Sequence, residues 1–151
     1  MNTALDTNIL LRYATPTDPL RPAAVLALAT MRVSGHVFRL VPQNLYEFWV
    51  VATRPVAQNG LGLTPAECDQ TLAAFEAAFP LLADQPALTT EWRTLVTTYG
   101  CIGKPAHDAR LVAAMNTHAI THLITFNTGD FRRYPHLTLH DPRTVATTVT
   151  P

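Results

Sequence analysis

The sequence predicts an α/β domain with helices packed around a short, mostly parallel sheet of four to five strands. Three observations predict it. Short apolar runs alternate with longer stretches whose apolar residues recur at helical spacing. Prolines 42, 65, 86 and 105 each stand at a proposed helix start, where a missing N–H costs little. No repeat or linker divides the 151 residues, so one domain is expected over 1–151.

Taken in order, residues 2–6 read as a buried strand and residues 7–14 as a helix beginning directly after it. Residues 19–33 place Ala24, Leu28 and Met31 on one helical face. Residues 37–41 form a second strand and residues 42–53 a helix. Residues 55–63, with Gly60 and Gly62, make the longest loop-like stretch. Thr64, Pro65 and Glu67 combine an N-cap, a first-turn proline and a capping-box glutamate. The helix they open carries a stripe of Cys68, Leu72, Phe75 and Phe79. Residues 81–83 are read as a short third strand, and residues 86–99 as a helix with Leu88, Trp92, Leu95 and Tyr99 on one face. A break at 100–103 precedes a helix from Pro105 that carries Asp108. Residues 122–126 and 137–140 complete the strands, and the last ten residues, rich in Thr and Pro, are expected to be irregular.

Apolar residues make up 48% of the chain and charged residues 15%, which excludes an intrinsically disordered class. The net charge of zero denies the protein the overall basic surface common among nucleic-acid binders, although local phosphate binding needs only a few arginines. Cys68 and Cys101 match no metal or redox spacing and suggest a reducing compartment. With no signal-peptide pattern and no apolar run near ~20 residues, a cytoplasmic protein without a membrane partner is expected.

Four carboxylates stand where an apolar segment least accommodates them: Asp6 at a strand end, Glu47 within an aromatic helix, Asp108 in a helix first turn and Asp130 after a strand. Each has a purely structural alternative. Asp6 suits an N-cap, Glu47 could pair with Arg54, Asp108 is favoured by the helix dipole, and Asp130 lies in Asn-Thr-Gly-Asp turn chemistry. Taken together, they outnumber the nearby cations. A buried carboxylate is costly unless paired or metal-bound, so a shared divalent cation accounts for the set economically. The histidines His107, His118, His122, His136 and His140 show no zinc-motif spacing and read as scattered surface or core residues. Tyr46, Phe48, Trp49 and Trp92 read as core.

These residues resemble a known family. Leu5-Asp6-Thr7-Asn8, Glu47 on a helix, His107-Asp108-Ala109 and Thr125-Phe126-Asn127-Thr128-Gly129-Asp130 are similar in order and separation to the PIN-domain ribonucleases, and the compact length to VapC-type toxins. The resemblance implies a three-layer α/β/α PIN-like domain that cleaves RNA to 5′-phosphate and 3′-hydroxyl ends. It also implies Mg²⁺ or Mn²⁺ bound by Asp6, Glu47, Asp108 and Asp130, with Thr7, Asn8, Thr125 and Asn127 as supporting polar groups. Many members carry an aspartate where this chain has Asn127, a departure that lowers the charge of the site. A cognate antitoxin and a homodimer are the implied partners. Arg12, Arg54, Arg110, Arg132 and Arg133 are candidates for steering RNA.

Two rival readings stand beside this one. A non-catalytic PIN-like scaffold would bind RNA or protein without cutting, although such forms usually lose acids that this chain keeps. An aspartate-dependent phosphatase of the haloacid dehalogenase type needs a second aspartate two residues after the first, where this chain has Asn8.

Overall fold

Alternation along the central strand builds both faces of the sheet. In β1 (Asn2–Leu5), Leu5 packs into one apolar core and Ala4 into another, as the two-residue period of a strand requires. β2 (Val37–Arg39) and β3 (His122–Ile124) flank β1, and β4 (Thr138–His140) borders β3. The order is β2-β1-β3-β4 and every pairing is parallel. These elements belong to a computed structural model of the chain that describes residues 1–145. The mostly parallel α/β sheet predicted from the alternation of elements is the one found.

Helices cover the two faces as separate layers. The Leu5 core takes residues from α1 (Thr7–Ala14), α2 (Arg21–Val33), α3 (Pro42–Thr53) and α4 (Pro65–Ala78). The Ala4 core takes them from α5 (Leu88–Thr98), α6 (Pro105–Thr117) and α7 (Thr128–Phe131). α4 begins with the reciprocal capping box the sequence announces: Glu67 N donates to Thr64 Oγ1 at 3.2 Å and Thr64 N to Glu67 Oε2 at 2.9 Å. Gly60 lets the 55–63 loop, which contains one 3₁₀ turn at Val56–Gln58, pass against the Arg54 carbonyl, where any side chain would collide.

Several expectations are corrected. Residues 81–83 form no strand; Leu81 makes one isolated parallel bridge to Leu40, because the adjoining Pro80 has no N–H to extend a ladder. Pro86 lies in a turn closed by Leu88 N donating to Gln85 O, so α5 starts two residues later than predicted. α2 starts at Arg21 instead of residue 19, behind a turn in which Asp18 Oδ1 accepts from Leu20 N at 2.8 Å. The Asn-Thr-Gly-Asp segment is the helical turn α7. The C-terminal stretch is not wholly irregular: α8 (Pro142–Val145) follows Asp141, whose Oδ1 accepts from Arg143 N at 2.9 Å. The remainder of that expectation, 146–151, lies outside the described residues.

The aromatic residues of α3 divide by helical phase. Phe48 is fully buried, but Tyr46 is 63% and Trp49 37% exposed, so neither is a core residue. Trp92 is half-buried and donates its indole N–H to Ala106 O at 2.8 Å. The expectation of scattered histidines also fails for His122 and His140, which meet each other and His36 on the Leu5 side of the sheet. Burial, with the neighbouring His122 and His36, lowers the His140 imidazole pKa to about 4. Among the described residues both cysteines are free, and no helix is long and apolar enough to cross a membrane.

Candidate metal centre

The strand register brings the ends of the chain together. Leu5 and Ile124 are paired across β1 and β3, so the residues that follow, Asp6 and Thr125, lie side by side. Asp6 N donates to Ile124 O at 3.0 Å, and Thr125 Oγ1 donates to Asp6 Oδ2 at 2.7 Å. β1 is followed in sequence by its neighbour on one side and in space by β3 on the other. This reversal of winding opens a crevice at the carboxyl ends of parallel strands, where such sheets place their ligands.

Asp6 is the N-cap of α1 and also lines the cleft at the strand ends. Its Oδ1 accepts from Thr7 N at 2.7 Å and its Oδ2 from Asn8 Nδ2 at 3.1 Å. Asn8 Nδ2 also reaches Thr125 Oγ1 at 3.1 Å, while its Oδ1 accepts from Phe126 N at 3.3 Å. Thr125 Oγ1 in turn accepts from Asn127 N at 3.0 Å. The capping alternative for Asp6 is therefore true and does not compete with a second role.

Glu47 enters from α3 and accepts a hydrogen bond from Gln43 Nε2, one turn back on the same helix. Gln43 Nε2 also donates to His107 O at 2.9 Å, which links α3 to the first turn of α6, where Asp108 lies. Asp130 comes from the first turn of α7 and is exposed. All four acids line one cleft of about 600 Å³, together with Thr7, Asn8, Asn127, Arg54, Lys104 and His107.

The electrostatics are those of negative charge only partly compensated. Asp6 is pushed up to about 6, chiefly by burial, then by the charges of Glu47 and Asp108, against hydrogen bonds from Thr125 and Thr7. Asp108 is also pushed up to about 6 by burial and by Asp130 and Glu47; Lys104 and Arg133 offset this only in part. Among the described residues, the ion pairs are Arg12–Asp18, Arg110–Asp84 and Arg143–Asp141, none of which involves a cleft acid. The pairing of Glu47 with Arg54 is therefore not formed. Four oxygen-donor side chains that line one cleft without an ion-pair partner are of the donor type that Mg²⁺ or Mn²⁺ prefers.

The five candidate arginines are placed differently from one another. Arg54 lines the cleft. Arg12 is held by Asp18 at 2.7 Å, and Arg110 by Asp84 at 2.9 Å and Gln43 Oε1 at 3.3 Å. Arg132 and Arg133 are exposed beside α7. Lys104, the only lysine, borders the cleft and was not among the candidates.

Sequence reasoning also missed Asn44. This fully buried amide accepts from Val41 N at 2.9 Å and donates to Leu5 O at 2.9 Å and Thr7 Oγ1 at 3.3 Å, fixing the segment that presents Asp6. Its place two residues after Pro42 is the N3 position, the signal already recognised at Glu67. Asn44→Ala strands a buried donor and a buried acceptor and is expected to cost about 3 kcal/mol, read from the urea midpoint.

The β2-β1-β3-β4 parallel sheet between two helical layers, with its cleft at the switch point, is a PIN-like fold. Solved structures of toxin–antitoxin complexes contain chains with this fold. VapBC2 from Rickettsia felis, bound to a DNA fragment from its promoter, matches 93% of this chain and 98% of its own, with 20% identity and a TM-score of 0.67. VapBC-1 from nontypeable Haemophilus influenzae matches 95% and 99%, with 18% identity and a TM-score of 0.65. A toxin–antitoxin complex from Klebsiella pneumoniae matches 93% and 97%, with 21% identity and a TM-score of 0.63. No protein-family model and no curated protein matches the sequence.

Proposed function

We propose that this protein is a Mg²⁺- or Mn²⁺-dependent endoribonuclease and the toxin of a type II toxin–antitoxin pair, hydrolysing RNA to 5′-phosphate and 3′-hydroxyl ends. The observation that carries this reading is the one cleft that Asp6, Glu47, Asp108 and Asp130 all line without an ion-pair partner. The fold likeness to chains of VapBC complexes supports the toxin role.

Asp6, Glu47, Asp108 and Asp130 would hold the ion. A bound divalent cation would supply charge compensation at the scissile phosphate and lower the pKa of an attacking water. The chain's own residues do the positioning. Thr125 and Asn8 orient the Asp6 carboxylate, and Gln43 orients Glu47. Asn127 offers an amide to water or substrate at the cleft wall. Arg54 and Lys104, at the same wall, attract the phosphate backbone that the acids alone would repel. Arg132 and Arg133 lie exposed beside α7, while Arg12 and Arg110 must exchange their acidic partners to contact RNA.

An antitoxin partner belongs to the same reading, as do homodimerisation and a cytoplasmic location. The exposed Tyr46, Trp49 and Val50 on α3, next to Glu47, give an antitoxin helix an apolar strip to cover.

The test is cleavage of a structured RNA pool by chelator-washed protein to which Mg²⁺ or Mn²⁺ is restored. Cleavage should need the metal, leave ends open to a 5′-phosphate-dependent exonuclease, and disappear in Asp108→Asn. Absence of cleavage by folded, metal-loaded protein would favour the non-catalytic scaffold. Cleavage leaving 5′-hydroxyl ends would overturn the hydrolytic mechanism.

A further inference from the structure

We propose that His36, His122 and His140 form a second metal site, specific for a borderline divalent ion such as Zn²⁺ and separate from the acidic cleft. One ring nitrogen from each histidine lies within 4.8 Å of those of the other two. The ring centroids are 5.1 to 5.4 Å apart, and His122 Nδ1 is 2.9 Å from His140 Nε2.

The register explains the convergence. His122 shares its face with Ile124, His140 with its partner Ile124, and His36 with Phe38, by the two-residue period of the strands. The third member therefore comes from the lead-in to β2, and the others from β3 and β4. Between them, Thr3 on β1 places Oγ1 2.7 Å from His36 Nδ1. A polar group on the far nitrogen of a ligating imidazole fixes its tautomer and orientation, the usual support for a histidine ligand.

Three imidazoles are a zinc donor set with a fourth position left for water. Ligands around tetrahedral zinc stand about 3.4 Å apart, given Zn–N bonds near ~2.0–2.1 Å. Small ring rotations bring the three nitrogens to that spacing, at the expense of the bond shared by His122 and His140. All three rings are half-buried, so an ion can reach them from solvent. The two sites sort metals by chemistry: carboxylates favour Mg²⁺ or Mn²⁺, and imidazoles favour Zn²⁺. Bound zinc would fasten β3 and the edge strand β4 to the entry of β2 across β1, a staple on the sheet that needs no part of the nuclease reading.

The experiment titrates chelator-washed full-length protein with Co²⁺, followed by its visible d–d absorption, and with Zn²⁺, followed by calorimetry and thermal melting. One ion per chain should bind to wild type and equally to Asp6→Asn/Asp108→Asn. The affinity should fall at least about a hundredfold in His122→Gln. At a free zinc concentration about a hundred times Kd, the Tm of wild type should rise by about 5–10 °C, a rise absent from the variant. His36→Gln, which lies outside the strand ladder, tests the same prediction in a variant whose sheet is unaltered. Lack of binding to wild type, or binding that survives both histidine variants and is lost in the aspartate variant, overturns the proposal.

Discussion

Asp6→Asn is expected to reduce metal-dependent RNA cleavage by at least about a thousandfold while leaving the metal-free protein as stable as wild type or more so. The two effects have one cause. Asp6 is forced to carry its charge against burial and against Glu47 and Asp108, which is why it binds protons up to about pH 6. A rise from 3.8 to about 6 corresponds to at most about 3 kcal/mol of unfavourable charge at neutral pH. Asparagine removes that charge, and its side-chain oxygen can still accept from Thr7 N as an N-cap. Part of the gain is given back, because the amide N–H₂ faces the Asn8 donor. A net increase of about 1 kcal/mol in the metal-free protein is expected from urea unfolding. A large loss of stability together with the loss of activity would instead mark Asp6 as a cap and nothing more.

The second large effect is in the pH profile. Cleavage is expected to fall about a hundredfold between pH 7 and pH 5, with a limiting slope steeper than one proton, because Asp6 and Asp108 both take up protons near pH 6 and a protonated carboxyl is a poor ligand. The sign for stability runs the other way in the absence of metal. Both folded-state values lie above the unfolded 3.8, so the folded protein binds more protons between about 4 and 6. Their contribution to stability is therefore fully present below about pH 4 and is lost as pH rises through about 6. His140 opposes this trend: held at about 4, it resists the proton that the unfolded chain accepts near 6.5. Its contribution is present above pH 6.5 and is lost as pH falls through about 4. The increment in Tm produced by Mg²⁺ or Mn²⁺ isolates the acidic cleft from this background. It should be largest above pH 7 and vanish near pH 5. An increment independent of pH would show that the ion binds elsewhere.

Much of the fold was legible in the sequence because its signals are local. Pro42, Pro65 and Pro105 sit at helix starts, the Thr64–Glu67 box closes as written, and β1 with α1 falls where the apolar run and the capping aspartate place it. Local signals failed where two structures use the same residues. Pro86 serves a turn as readily as a helix start, and Asn127 to Asp130 suits a turn or a short helix. The acids were legible as misfits, since a carboxylate in an apolar segment needs a reason wherever the chain goes. That left their common destination undecided.

That destination belongs to pairings between distant segments. The Leu5–Ile124 register sets Asp6 beside Thr125, and Gln43 ties α3 to α6 so that Glu47 and Asp108 share a wall. The same register gathers His36, His122 and His140, which no spacing along the chain connects. It also leaves Tyr46 and Trp49 facing solvent in a helix whose composition suggested a wholly buried face. Periodicity and capping report on neighbours within a few residues, and so they reveal which elements form and which side chains sit uneasily in them. Which of those side chains become neighbours depends on how parallel strands separated by more than a hundred residues align, and packing of the two cores makes that choice.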